Sequence, residues 1–243
     1  MIYIDNNATT AVAPEVVDAM RPYLESEYFN PSSLYEPAEK VQKALRAARA
    51  TVAGHLGCRA DEILFTSCAT ESNNAAIFGA AASNPKRRRI VTTRVEHPAV
   101  LEVCRELGRR GYTVVEIPVD TAGNLDIAEF ARALTPGETL LASVMHANNE
   151  TGVIFPIERL ARLVKEVDPA IIFHTDATQS VTKLPIDLAG EFRQVDLLSF
   201  SGHKIHAPKG VGVLFIRRGT PIRPFLFGGH QESGRRGGTE NVP

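Results

Sequence analysis

Leu198-Ser-Phe-Ser-Gly-His-Lys-Ile-His-Ala-Pro-Lys-Gly-Val-Gly212 is a short apolar run that opens into a polar turn with a lysine at its centre. A strand over Asp196–Ser201 ends at the rim of a sheet, and Ser201, Gly202 and His203 turn the chain so that Lys204 points back into the crevice there. An amine held in that position, partly desolvated, has a depressed pKa and can attack a carbonyl, as Schiff-base lysines do. The ordinary alternative is a solvated loop lysine, since lysine is rarely buried. The surrounding sequence has to decide between them.

Upstream, Phe173-His-Thr-Asp-Ala-Thr-Gln-Ser180 stands at the end of an apolar strand, Ala170–Phe173. A carboxylate there can pair with a protonated ring nitrogen, the partnership that makes pyridoxal phosphate (PLP) an electron sink. Asp176 would be that carboxylate.

Apolar segments alternate regularly along the rest of the chain. Strands are expected at Glu62–Thr66, Ile90–Thr93, Thr113–Ile117, Leu140–Met145, Ala170–Phe173, Leu197–Ser201 and Gly212–Ile216. Helices are expected between them, at Glu71–Ala82, Ala99–Arg110, Asp126–Leu134 and Ile157–Val167. Before the first strand, Glu36–Leu56 carries Val41, Leu45, Ala48, Val52 and Leu56 at helical spacing and stops at Gly57, a C-cap. Pro14–Glu27 reads as a helix opened by a proline, Met1–Thr10 as a short strand and a polar turn, and Asn30-Pro-Ser-Ser33 as a loop with helix-capping residues. The alternation predicts an α/β fold, a mainly parallel seven-stranded sheet with helices on both faces.

The 243 residues are 44% hydrophobic and 23% charged, enough for one large domain with a substantial core. A formal net charge of −1 offers no electrostatic basis for binding nucleic acid or an acidic membrane surface, and Lys86-Arg-Arg-Arg89 reads as a solvated loop. No stretch approaches the roughly 20 apolar residues of a membrane span, and no signal segment opens the chain, so the cytoplasm is expected. Cys58, Cys68 and Cys104 form neither a disulfide framework nor a zinc pattern and read as reduced, buried residues. No metal site is expected: His203-Lys-Ile-His206 lacks a third ligand at any metal-site spacing.

Ligands of open α/β sheets bind outside the carboxyl ends of the strands, and the polar motifs fall there in succession. Cys68-Ala-Thr-Glu-Ser72 joins a strand to a helix, so the amides of Ala69 and Thr70, with the Thr70 hydroxyl, can hold a phosphate; the plainer alternative is Thr70 as a helix cap. Glu96-His-Pro-Ala follows the next strand and sets His97 at the same rim. Gly228–Asn241 is glycine-rich but matches no P-loop, and without further context it is a flexible surface loop.

Taken together, Asp5-Asn-Asn-Ala-Thr-Thr10, Asn30-Pro-Ser-Ser33, Phe65-Thr-Ser-Cys-Ala-Thr-Glu-Ser72, Glu96-His-Pro-Ala-Val100, Asn148-Asn-Glu-Thr-Gly152, His174-Thr-Asp-Ala-Thr-Gln179, the lysine stretch and Gly228–Asn241 resemble the PLP-dependent cysteine desulfurases of the class V aminotransferase group, nitrogen-fixation type. The resemblance implies a fold type I PLP-binding large domain over residues 14–243, with residues 1–13 packing against a small domain. It implies that Lys204 and His97 are catalytic, with His97 stacking on the cofactor and taking part in proton transfer. Asn149 and Gln179 would bond the ring hydroxyl, Ser201 and His203 would complete the phosphate cup, and Thr239 would reach the cofactor of the other subunit in a homodimer. Where the family usually has a histidine shortly after Asn30-Pro-Ser-Ser33, this chain has Tyr35, which touches only a secondary contact.

The implied activity removes sulfur from L-cysteine to give L-alanine and a persulfide for an iron–sulfur scaffold or another acceptor. None of the three cysteines sits in the Ser-Gly-Ser-Ala-Cys setting of the family's sulfur-accepting loop. The expectation is therefore that this chain is the cofactor-binding part alone, inactive without the small domain. Selenocysteine lyase, and a non-catalytic PLP-binding or scaffold protein, are the alternative readings.

Overall fold

In the computed structural model, which describes residues 2–243, seven strands form one sheet: β1 (Ile63–Thr66), β2 (Arg89–Thr93), β3 (Thr113–Ile117), β4 (Thr139–Ser143), β5 (Ile172–Asp176), β6 (Leu197–Ser201) and β7 (Gly212–Ile216). Their spatial order is β1-β7-β6-β5-β4-β2-β3. Strand β7 runs antiparallel to both its neighbours, and the other pairs are parallel. The expected mainly parallel sheet is what forms.

Six α-helices lie among the described residues: α1 (Pro14–Glu25), α2 (Glu36–Leu56), α3 (Ala69–Ser83), α4 (Pro98–Arg109), α5 (Ile127–Ala133) and α6 (Ile157–Val167). The pleat explains why both faces of the sheet need covering. Leu141, Ile172, Leu197 and Leu214 join one apolar cluster with α3 and α4. Their chain neighbours Ala142, Phe173, Leu198 and Phe215 join another, which includes Ala53 and Leu56 of α2, Phe130 of α5 and Leu160 of α6. Successive side chains of a strand point to opposite faces, so a run of consecutive apolar residues requires two layers of helix. Each fully buried large side chain, such as Phe130 or Phe173, contributes roughly 1.5–3 kcal/mol by leaving water.

Helix α2 ends as expected: Gly57 has φ 67°, and its amide donates back to Ala53 and Gly54. A residue with a Cβ would be strained there.

Several local expectations are overturned. Among the described residues, 2–10 form no strand, and Met1 lies outside them. Their polar groups bond to the lysine turn instead of a ladder, leaving Ile2 and Ile4 exposed at 91% and 87%. Helix α1 stops at Glu25 rather than Glu27, with Pro22 in its interior. The Asn30 side chain accepts from the Ser32 amide in a local turn, and the cap of α2 is Tyr35, with no side-chain cap bond. Strand β5 begins and ends later than Ala170–Phe173, because His174, Thr175 and Asp176 are buried within the sheet despite their polarity. The His174 ring achieves this by lying between the Ser143 hydroxyl at 2.8 Å and the Ser199 hydroxyl at 3.0 Å. Arg87 and Arg89 are half-buried, and Arg87 pairs with Asp168 at 2.7 Å, so the basic run is more than a solvated loop. Only Cys104 is buried; Cys58 is partly exposed, and Cys68 lines the cleft described next.

Candidate active site

The ends of β1, β2, β4, β5 and β6 open onto one cleft of about 380 Å³. Ala69, Thr70, His97, Asn149, Asp176, Gln179, Ser201, His203 and Lys204 all line it. Thr239 does not; it lies in a separate cleft of about 270 Å³, beside Arg236 and Asn241.

The lysine reaches this cleft through local backbone geometry. Beyond β6, Gly202–Lys204 make a single 3₁₀ turn, and the Gly202 amide returns to the Val211 carbonyl at 3.0 Å. Lys204 is half-buried, and its Nζ donates to the backbone carbonyls of Asn7 and, at 2.8 Å, Ala8. Burial, reinforced by the charge of Lys183, holds this amine below the ordinary lysine range, while Asp5 and Asp176 pull the other way. Burial also pushes His203 down, helped by Lys204 and Lys209. Its Nδ1 lies 3.1 Å from the Thr9 hydroxyl.

Asp176, 5% exposed, closes β5. One carboxylate oxygen accepts from Asn73 Nδ2 at 2.7 Å and the other from the Thr178 amide at 2.9 Å. Donors on both oxygens stabilise a carboxylate in its charged form. Asn73 belongs to α3, so the same helix that offers its N-terminus to the cleft also fixes the acid.

At that N-terminus the cap is Cys68, which makes no side-chain cap bond. Thr70 lies inside the first turn and is not the cap. Its hydroxyl and the first-turn amides therefore remain available to an anion. Gly212 lets this turn approach the sheet: a Cβ there would stand 2.4 Å from the Cys68 carbonyl carbon. Beside it His97 caps α4, with Nδ1 accepting the Ala99 amide at 3.1 Å. That bond places the ring proton on Nε2 when the imidazole is neutral. Asn148 folds the turn that presents Asn149, its Oδ1 accepting from the Glu150 and Thr151 amides, both at 2.9 Å. Gln179 Nε2 donates to the Asn7 carbonyl at 2.9 Å.

The aminotransferase class-V family matches residues 2–243. The chain belongs to that family. A cysteine desulfurase of Nostoc sp. (strain PCC 7120) is 53% identical over 243 residues, which are 100% of this chain and 60% of that protein. The cysteine desulfurase NifS of Azotobacter vinelandii is 54% identical over 242 residues, 99% of this chain and 59% of that protein. Among solved structures, a NifS-like protein superposes with a TM-score of 0.96 at 43% identity, covering 100% of this chain and 66% of its own. SspA in complex with cysteine superposes with a TM-score of 0.95 at 38% identity, covering 100% and 70%. The chain thus spans about 60% of the length of the curated relatives it matches.

Class V aminotransferases are PLP-dependent, and the donor set here fits that cofactor. Free first-turn amides suit its phosphate, a doubly hydrogen-bonded carboxylate suits its ring nitrogen, and an amine below its usual range suits its aldehyde. Among the described residues no cluster of three or more His, Cys, Asp or Glu side chains could hold a metal, and no helix is long and apolar enough to cross a membrane.

Three supporting residues escape the sequence reading. Asn73 carries the one signal that was available, a polar residue in an alanine-rich helix, and the structure buries it fully. Lys183 acts on Lys204 by charge and donates to Gln179 Oε1 at 3.3 Å. Asn7 contributes a backbone carbonyl, which no side-chain pattern reveals.

Proposed function

We propose that this chain is the cofactor-binding part of a PLP-dependent cysteine desulfurase. One observation carries the reading: the Lys204 amine, the Asp176 carboxylate and the open first turn of α3 face a single cleft. The names of the relatives and the cysteine held by the SspA structure support L-cysteine as substrate.

When bound, PLP supplies a conjugated pyridinium that accepts the electrons released at the substrate Cα. Lys204 Nζ would hold the aldehyde end and, as a free amine, would take the Cα proton. Asp176 holds the proton on the ring nitrogen, while Asn73 and Thr178 hold Asp176. His97 would lie against the ring and move a proton through Nε2, its Nδ1 being committed to Ala99. Ala69, Thr70, Ser201 and His203 grip the phosphate, and Asn149 and Gln179 bond the ring hydroxyl. Thr239 reaches the cofactor of the second subunit in a homodimer, consistent with its position outside the chain's own cleft. Residues 1–13 pack with a small domain, for which the exposed Ile2 and Ile4 are suitable. L-Alanine would leave, and the sulfur would pass first to a cysteine thiolate other than Cys58, Cys68 and Cys104, as a persulfide, and from it to an iron–sulfur scaffold or another acceptor in the cytoplasm.

The test is to add PLP, reduce with borohydride and map the modified peptide. Attachment to Lys204, and none in Lys204→Ala, is the expected result. A stable protein that takes up no PLP would overturn the reading.

A further inference from the structure

Glu96 stands beside His97, is 4% exposed and has no part in the scheme above. One of its oxygens, Oε1, accepts from the Thr93 hydroxyl at 2.8 Å and from the Met145 amide at 2.8 Å. The first donor ends β2 and the second lies just past β4. Both Met145 and His97 line the cleft. Nearby, Asn148 Nδ2 donates to the Val95 carbonyl at 3.0 Å. The turn that presents His97 is therefore fastened to the end of β4 from two sides, and Glu96 makes the buried fastening.

We propose that Glu96 is a positioning residue for His97: its Oε1 clamps the turn after β2 to the end of β4 and so sets the imidazole over the cleft. The inference rests on the proposed PLP reading, since it assumes that His97 faces the ring. A carboxylate is an odd choice for a merely structural tie, because burying an unpaired charge is costly. Glu96 avoids that cost by staying protonated. Its second oxygen, Oε2, is buried without a partner among the described residues, and burial pushes the acid up to about 8, with the charge of Asp176 on β5 adding to the effect. Arg94 and His97 line a small cleft with Glu96, but among the described residues its hydrogen bonds come from Thr93 and Met145. The Cys104 thiol of α4 is pushed up to about 12, chiefly by burial. His146, whose amide donates to the Asp176 carbonyl at 2.9 Å, is held down to about 4 by burial. A neutral Glu96 leaves Asp176 as the negative charge of this corner, where the ring nitrogen needs it.

The experiment loads the protein and three variants with PLP and measures the dissociation constant and the visible circular dichroism of the bound cofactor, which reports its orientation. Glu96→Ala removes the acceptor and should weaken PLP about tenfold, with a matching loss of dichroism, as expected for two orphaned buried donors. Glu96→Gln keeps the acceptor oxygen without the acid and should stay within about twofold of the parent. Thr93→Val deletes one donor and should fall between them, and it decides the matter if Glu96→Ala does not fold. The parent dichroism should also decline over roughly pH 7–9, as Glu96 ionises, while that of Glu96→Gln stays level. Glu96→Ala or Thr93→Val behaving as the parent would overturn the clamp, as would Glu96→Gln failing as badly as Glu96→Ala. A parent that binds no PLP refutes the cofactor reading itself, a distinguishable result.

Discussion

Replacing Arg49 by alanine should destabilise the protein by about 3–5 kcal/mol, the usual cost of stripping one partner from a buried ion pair. Arg49 holds Glu232 through two bonds of 2.6 and 2.7 Å, with side-chain exposures of only 16% and 2%. It also donates to the Ile63 carbonyl at 2.8 Å and lies over the Phe65 ring at 4.7 Å. Glu232 retains the Phe65 amide at 3.1 Å and Ile63 retains Arg235 at 3.2 Å, which points to the lower half of that range. At a chain length near 243 residues a loss of about 3 kcal/mol lowers the melting temperature by roughly 6–12 °C. Glu232 and Ser233 occupy left-handed backbone, φ 49° and 59°, a conformation that persists only when its surroundings enforce it. The glycine-rich segment carrying Thr239 should therefore become protease-sensitive in Arg49→Ala. Thermal and urea unfolding, with a double-mutant cycle against Glu232→Gln, measure the effect; the coupling should reach about 2 kcal/mol or more. A loss below about 1 kcal/mol with no coupling would mean that the pair behaves like a solvated surface bridge and that the segment is held by other contacts.

Lys183→Met should raise the pKa of Lys204, because it removes a positive charge that disfavours the ammonium, and the pH profile of PLP capture should shift to higher pH. An unmoved profile would show that burial alone depresses the amine. Gly212→Ala should push the first turn of α3 outward, since the new Cβ meets Cys68 backbone at 2.4 Å; a PLP affinity drop of about tenfold, equivalent to about 1.4 kcal/mol, with far-ultraviolet dichroism retained is the expected outcome. Asn73→Ala should cost about 1.5–3 kcal/mol of stability, measured by urea unfolding, because Asp176 loses a charge-assisted bond of 2.7 Å. For Glu96 the folded pKa of about 8 lies above the ordinary 4.5, so the native state holds a proton that the unfolded chain gives up. Its stabilising effect is full below the ordinary value and is lost as pH rises through about 8. The stability of Glu96→Gln should fall less than the parent's over that window, by about 2 kcal/mol or more, and parallel curves would contradict the assignment.

Sequence alone determined the fold class, and the reason is the pleat. Apolar runs such as Ile171-Ile-Phe173 and Leu197-Leu198 bury both faces, so they demand a sheet covered on two sides, and the helical spacing between them supplies the covers. It also placed Lys204, Asp176, Thr70 and His97 at one rim, because chemistry at strand ends follows from chain order in an open α/β sheet. Tertiary structure decided what each of these groups experiences. Asn73 behind Asp176, the carbonyls of Asn7 and Ala8 on Lys204, and the buried bond from Met145 to Glu96 join residues far apart in sequence. Apart from the missing N–H of proline, backbone donors and acceptors are the same from one residue to the next, and burial is a property of the packed whole. Hydrogen-bond partners and depressed or raised acidities therefore come into existence only when the chain closes on itself.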